Sequence, residues 1–70
     1  MRKILIYLHK KYNGDFDSIY QAIKNKESVP YEEIKKIDDE LEEYGDTYIT
    51  IIDDDYPPKL RGRNKPPFVI

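Results

Sequence analysis

The sequence contains no cysteine, and its 70 residues include a single histidine. A chain of this length buries only about 60% of the surface that its unfolded form exposes, so its stability should be marginal. Without cysteine it has neither the disulfide framework of small secreted domains nor a thiolate metal site. These absences suit a reducing compartment, and we expect the protein to be cytoplasmic.

Long apolar segments are also absent. The longest apolar run is the five-residue segment Ile4–Leu8. A helix that crosses a bilayer needs about 20 apolar residues, and the core of a signal peptide needs about seven or more. We therefore expect no membrane association and no export signal.

The chain lacks a recognisable set of nucleophile, base and electrophile. His9 is its only histidine, so no second histidine or cysteine completes a pair of metal ligands. The run Asp53-Asp54-Asp55 is of a kind that can contribute to a Mg²⁺ or Ca²⁺ site, because hard cations prefer oxygen ligands. No second acidic motif accompanies it, which favours a solvated turn. We predict no enzymatic activity, no metal and no cofactor.

Charge is unevenly distributed along the chain. Residues 1–26 hold six basic and two acidic side chains, a net charge of +4. Residues 27–55 hold twelve acidic and two basic side chains, a net charge of -10, and residues 56–70 hold four basic side chains and no acid. The order is basic, acidic, basic.

This order suggests two kinds of interaction surface. Basic side chains at both ends could contact phosphates, although the acidic stretch would repel the same backbone unless folding separates the two signs. The candidate DNA contacts are Arg2, Lys3, Lys10, Lys11, Lys59, Arg61, Arg63 and Lys65. The carboxylates of the middle segment could instead form an acidic interaction face, whose candidates are Glu32, Glu33, Asp39, Glu40 and Glu43.

Apolar spacing predicts three helices. The first covers about residues 2–12 and ends at Asn13-Gly14, which supplies a left-handed backbone position. The second is capped by Asp15 or Asp17 and ends in the polar segment 25–28. The third begins close to Pro30, which is tolerated in a first helical turn, and runs to Gly45. We expect the first two helices to pair as a hairpin.

The remainder of the sequence predicts short strands. Thr47–Ile52 is rich in β-branched and aromatic residues, as strands are. A helical turn capped by Asp55 follows and ends near Leu60, and residues 62–67 form an irregular basic linker. The apolar triplet Phe68–Ile70 either pairs with the predicted strand or hangs loose. We predict an α+β fold: a small three-helix cluster over residues 1–46, then one or two short strands with a proline-rich linker over residues 47–70.

Seven tyrosines are present, and aromatic side chains interleaved with lysines can stack on unpaired bases. Five of them nevertheless fall at or beside the apolar positions of the predicted helices, where a small core favours bulk with a polar tip. We therefore predict core or core-rim positions for Tyr7, Tyr12, Tyr20, Tyr31 and Tyr44.

The segment from Thr47 to Leu60, followed after five residues by Pro66-Pro67-Phe68-Val69-Ile70, resembles the DprA/Smf family of DNA-processing proteins. In that family a strand leads through the pattern D-x-x-Y-P-x-x-L and a short spacer into a Pro-Pro pair and the first strand of a Rossmann-like domain. The positions that match the pattern are Asp53, Tyr56, Pro57, Leu60, Pro66 and Pro67.

The resemblance extends to the preceding helices, since family members begin with a short helical domain. It implies that residues 47–70 lead toward a Rossmann-like domain, which holds the family's DNA-binding residues and is missing here. The implied function is that of a non-enzymatic accessory or interaction domain of a mediator that binds single-stranded DNA and loads the recombinase RecA in natural transformation. The implied partners are single-stranded DNA through the parent protein, a recombinase, or a second copy of the chain.

A second hypothesis comes from the charge pattern alone. Dense carboxylates along the third helix could imitate a phosphate track. The chain would then be a stand-alone small acidic protein from a mobile element, one that binds and inhibits a host nucleic-acid-binding protein.

Overall fold

A computed structural model describes residues 1–70, which form four helices. They are α1 (Arg2–Lys11), α2 (Phe16–Lys24), α3 (Tyr31–Tyr44) and the short α4 (Pro58–Arg61). Helix α1 packs against both α2 and α3. The three predicted helices are therefore confirmed, and they pack together around α1. None of the helices combines the length and the apolar content that a bilayer crossing requires.

The turn between α1 and α2 follows from its residues. Asn13 and Gly14 both have positive φ angles, +53° and +76°, and this left-handed geometry reverses the chain within a few residues. Asp15 then accepts a hydrogen bond from the backbone N–H of Ser18 at 2.9 Å. The predicted capping by an aspartate is confirmed, because Asp15 satisfies one of the free amides of the first turn.

Helix α3 begins after Pro30 and ends before Gly45, as its sequence predicts. The φ angle of Gly45 is +84°, which an L-residue with a side chain adopts only with strain. Its apolar residue Ile37 is buried and faces α1, whereas the charged side chains surround the remainder of the helix. Leu8 of α1 forms a core cluster with Ile19 and Ala22 of α2.

The predicted strand over 47–52 does not form, and the α+β prediction is wrong. The molecule is a small helical protein without a sheet; its one β-bridge is antiparallel and joins Thr50 to Val69. The cause lies at Asp53, whose carboxylate accepts the backbone N–H of Thr50 at 2.8 Å while its own N–H donates to the Thr50 carbonyl at 2.9 Å. This local capture folds the chain into a turn, and it overrides the β propensity of the segment.

Helix α4 lies close to where the sequence predicts a helical turn, but its cap differs from the prediction. Pro57 is the residue before the helix and Pro58 is its first residue, with no side chain capping it. Proline suits this position because its fixed φ is already helical and its missing N–H would have no partner there. The predicted cap, Asp55, makes no such bond and is exposed.

The last three residues pack on the helices. Val69 is buried, and the ring of Phe68 stacks on Phe16 of α2 at 5.1 Å between centroids. The backbones of Ile49 and Ile70 exchange hydrogen bonds of 3.3 and 2.9 Å, and the N–H of Ile51 donates to the Phe68 carbonyl at 2.9 Å. Of the two arrangements that the sequence allows for this triplet, the structure has the paired one.

The tyrosines divide between the core rim and the surface. Tyr7 and Tyr12 are half-buried beside the core cluster, as predicted. The prediction is wrong for three others, since Tyr20, Tyr31 and Tyr44 are 49%, 76% and 75% exposed. Tyr31 and Tyr44 are the first and last residues of α3.

Candidate functional site

Arg2 connects the start of the chain to the turn that follows α3. Its guanidinium forms a two-pronged ion pair with Asp46, through contacts of 2.7 and 2.8 Å. The same group donates to the Tyr48 carbonyl at 2.8 Å, and its Nε lies 3.1 Å from the Asp53 carboxylate. These residues line an open cleft of about 730 Å³ together with Thr47, Ile49, Asp54 and Asp55.

The electrostatics of this cleft favour the charged forms. The hydrogen bond from Arg2 lowers the pKa of Asp46 below its usual range. The pKa of Asp53 is lowered first by the backbone N–H of Thr50 and further by Arg2. Both carboxylates thus stay ionised to a lower pH than free aspartate, and Arg2 neutralises part of the negative charge that the aspartate-rich cleft would otherwise carry.

Tyr56 is the largest fully buried side chain, with 1% of its surface exposed. Its hydroxyl donates to the carbonyl of Pro67 at 2.6 Å, and burial raises its pKa. The guanidinium of Arg61 lies 5.3 Å from the ring centroid and donates to the Ile51 carbonyl at 2.7 Å. Tyr56 therefore joins the turn, α4 and the tail into one unit.

The residues of the DprA/Smf-like pattern lie within this unit, which we call the C-terminal motif; it comprises Asp53, Tyr56, Pro57, Leu60, Pro66 and Pro67. Asp53 fixes the turn and Pro57 precedes α4, on which Leu60 is half-buried. Pro66 and Pro67 are half-buried in the segment that enters the tail. Each member thus helps to position the chain between Thr50 and Phe68.

The four basic candidates of α1 are engaged within the chain. Besides Arg2, Lys3 pairs with Asp38 and Lys10 pairs with Glu40, both on α3. Lys11 lies 2.9 Å from Glu27. Exposed ion pairs of this kind contribute little to stability, because solvent screens them. They do bring the basic first segment and the acidic middle segment of the sequence together, so α1 presents less free positive charge than its sequence suggests.

The four basic candidates near the C-terminus are less engaged. Lys59 and Arg63 are exposed and form no salt bridge, and Arg61 is exposed while it bonds to main-chain carbonyls. Lys65 lies 3.1 Å from Asp17 in the first turn of α2. This second group therefore keeps most of its positive charge available to an anionic partner.

The acidic candidates of α3 fall into two groups. Glu32, Asp39 and Glu43 are exposed and form no salt bridge within the chain. Glu33 lies 3.5 Å from Lys36 and Glu40 pairs with Lys10, so both are engaged and half-buried. An unpaired acidic row thus occupies the outer side of α3. No group of three or more histidine, aspartate or glutamate side chains is arranged to hold a metal ion.

Comparisons of the chain with models of protein families, with characterised proteins and with solved structures find no match.

The sequence predicts Arg2 as a DNA contact, whereas the structure gives it intramolecular partners. The sequence carries a signal for this, because the basic segment 1–26 precedes the acidic segment 27–55 in a small chain that must fold back on itself. Sequence reasoning also placed Tyr20 in or beside the core, although it is half-exposed at the end of an aromatic stack.

We predict that Tyr56→Phe lowers the free energy of unfolding by about 1–2 kcal/mol, because the Pro67 carbonyl loses its donor while the ring is retained. Urea denaturation of both proteins measures the difference. Tyr31→Phe is the matched control, since Tyr31 is 76% exposed and the same change there should have no measurable effect. Equal midpoints for the Tyr56 variant and the parent would contradict the role given to this hydroxyl.

We predict that the free energy of unfolding falls as the pH drops below about 4, near the pKa of aspartate in an unfolded chain. The pKa values of Asp46 and Asp53 are lowered in the folded state, so their contribution is present above that pH and is lost as the pH falls through their folded values. Asp53→Asn should lower the free energy of unfolding at pH 7. Between pH 7 and pH 3 the free energy of unfolding of this variant should then fall by less than that of the parent.

The loss will not vanish in this variant, because the pKa values of Asp15 and Glu27 are lowered as well. Asp54→Asn is the control for Asp53→Asn, since Asp54 is exposed and forms no salt bridge. Denaturant titrations between pH 7 and pH 3 provide the measurement. An identical pH profile for the parent and Asp53→Asn would show that the Asp53 carboxylate does not stabilise the turn.

Proposed function

We propose that the chain is a non-enzymatic accessory or interaction domain of a DprA/Smf-like recombination mediator that binds single-stranded DNA in the cytoplasm. The observation that carries the proposal is the hydrogen bond from the buried Tyr56 hydroxyl to the Pro67 carbonyl, at 2.6 Å. This bond joins the two parts of the DprA/Smf-like pattern, which lie on either side of the spacer, into one structural unit.

The chemistry of the C-terminal motif supports a structural role. Asp53 bonds to a backbone amide and to Arg2, and the prolines restrict the backbone on either side of α4. The outcome is a tail of defined direction, which ends at Ile70 with 45% of that residue exposed. In a DprA/Smf-like protein such a tail would hold the helical domain at a fixed orientation beside the Rossmann-like domain that contacts DNA.

The pattern departs from the family in one respect. The leading strand is replaced by the turn at Asp53, so the resemblance is carried by the turn, α4 and the tail. The work of such a domain is done by its surfaces, and the partners we propose are a RecA-type recombinase or a second copy of the chain.

The unpaired acidic row on α3 favours a second candidate function, in which a small acidic protein inhibits a nucleic-acid-binding protein. Glu32 and Asp39 are separated by about 10 Å along the helix axis and Asp39 and Glu43 by about 6 Å, given a rise of about 1.5 Å per residue. Carboxylates at such intervals can occupy a groove that otherwise binds a row of phosphates. Lys35 and Lys36 interrupt the row on the same exposed side.

One titration separates the two candidates. The chain is added to a purified RecA-type recombinase on single-stranded DNA while the DNA-dependent ATPase rate is followed, and binding to the recombinase is measured separately by interferometry. The accessory-domain proposal predicts binding, with a rate that is maintained or raised. Binding that lowers the rate in competition with DNA would instead support the inhibitor.

The inhibitor is tested further with the triple variant Glu32→Gln, Asp39→Asn, Glu43→Gln, which should abolish the competition. The double variant Asp54→Asn, Asp55→Asn is the control, since it removes exposed carboxylates away from α3. The accessory-domain proposal fails if the chain binds no recombinase and sedimentation shows no self-association at the same concentration.

A further inference from the structure

Three aromatic rings form a continuous stack that runs from the tail to the surface of α2. Phe68 and Phe16 lie 5.1 Å apart with an interplanar angle of 13°, and Phe16 and Tyr20 lie 6.0 Å apart with an angle of 14°. These separations are in the range of offset stacking. The inner rings are half-buried, whereas the outermost ring, Tyr20, has 49% of its surface exposed.

An exposed ring at the end of a parallel stack is suited to receive one more flat ring. Unpaired bases stack on aromatic side chains in this way, and the interaction tolerates any base because each base has a π face. Tyr20 stacks on Phe16, so its ring orientation is fixed in part before a ligand arrives. A paired base inside a duplex is not available for such a contact.

The side chains around Tyr20 favour a polyanion. Lys24 is exposed, forms no salt bridge and lies four residues after Tyr20 on the same side of α2. Lys65 is exposed and reaches the first turn of α2 through Asp17, at 3.1 Å, and Arg63 is exposed two residues before it. Asp15 and Asp17 are the acidic side chains of this group. Lys65 pairs with Asp17, and after the hydrogen bond with Ser18 the charge of Lys65 is a further cause that lowers the pKa of Asp15.

The other two exposed tyrosines lack a supporting ring. Tyr31 and Tyr44 terminate α3 beside Glu32 and Glu43, which are exposed and unpaired. Neither ring is part of an aromatic stack, although Lys35, four residues after Tyr31, is exposed and forms no salt bridge. Of the three exposed tyrosines, Tyr20 alone belongs to an aromatic stack, and the unpaired Lys24 lies one helical turn after it.

We propose that Tyr20 is a stacking site for an unpaired base of single-stranded DNA, and that Lys24 and Lys65 contact the phosphates on either side of that base. This site adds a direct DNA contact to the proposed function without depending on it, because Tyr20, Lys24 and Lys65 lie outside the C-terminal motif. It also divides the basic candidates of the sequence: Lys65 belongs to the site, and the four candidates on α1 do not.

The test uses the whole chain and a fluorescein-labelled oligothymidine strand, with fluorescence anisotropy read at about 50 mM and about 200 mM salt. The parent should bind, more weakly at the higher salt. Tyr20→Leu, which keeps an apolar side chain but removes the π face, should weaken binding roughly 5- to 150-fold, the range for one stacked base. Tyr20→Phe should bind as the parent does.

Matched controls locate the effect. Tyr31→Leu removes an exposed tyrosine outside the site and should leave the affinity unchanged. Lys24→Gln and Lys65→Gln should each reduce the slope of log affinity against log salt by about 0.7, the value for one phosphate contact on a single strand. Lys3→Gln, on α1, should not change the slope. Circular dichroism of each variant confirms that the helices are intact.

The proposal is overturned if the parent shows no binding to the strand at the lower salt, or if Tyr20→Leu binds as tightly as the parent. It is equally overturned if a duplex of the same length binds as tightly as the single strand, because duplex bases cannot stack on the ring. None of these measurements involves a recombinase. A failure of the Tyr20 proposal can therefore be distinguished from a failure of the accessory-domain proposal.

Discussion

The structure depends on one constraint: the C-terminal residues must pack against the helices that the N-terminal residues form. Helices α1 and α2 have 10 and 9 residues, and isolated helices shorter than about 12–15 residues are marginal in water. Their stability must come from packing, yet a chain of this size has few apolar residues to bury. Val69 and Phe68 add to that small core, and Tyr56 and Arg2 hold the segment that delivers them.

Two kinds of interaction hold the C-terminal residues against the helices. Burial of Leu8, Ile19 and Val69 supplies the non-directional stabilisation. Directional contacts decide the path of the chain. The Tyr56 hydroxyl can donate to the Pro67 carbonyl in only one position, and the forked guanidinium of Arg2 can bind Asp46 in only one orientation. The tail is therefore both buried and oriented, and it contacts the exposed Tyr20 ring through Phe68 and Phe16.

The helical part of the fold was predictable because it is encoded locally. The spacing of apolar residues, the Asp15 cap and the glycines at positions 14 and 45 specify where helices begin and end without reference to the remainder of the chain. The segment 47–52 does not follow its β-branched composition, because the side chain of Asp53 competes for the backbone of Thr50. The Asp53 carboxylate binds the backbone N–H of Thr50. A single strand without a second and third strand gains too little stability from pairing to prevent this.

The candidate surfaces were predictable as residue types but not as partners. Sequence reasoning found the basic and acidic segments, and it had no means to foresee that Lys3 and Lys10 would face Asp38 and Glu40 across two packed helices. It likewise found the residues of the C-terminal motif but not the Tyr56–Pro67 hydrogen bond that unites them. The aromatic stack was missed because Phe68 and Phe16 are distant in sequence, and only the folded tail brings them together.

The most direct test of the closure is amide hydrogen exchange at Ile51, whose N–H donates to the Phe68 carbonyl. If the tail is part of the cooperative core, this amide will exchange through the same global opening as the amide of Leu8 in α1, with the same dependence on denaturant. Exchange of Ile51 at the rate of an unstructured amide, while Leu8 remains protected, would contradict the account and leave the tail as an appendage to three helices.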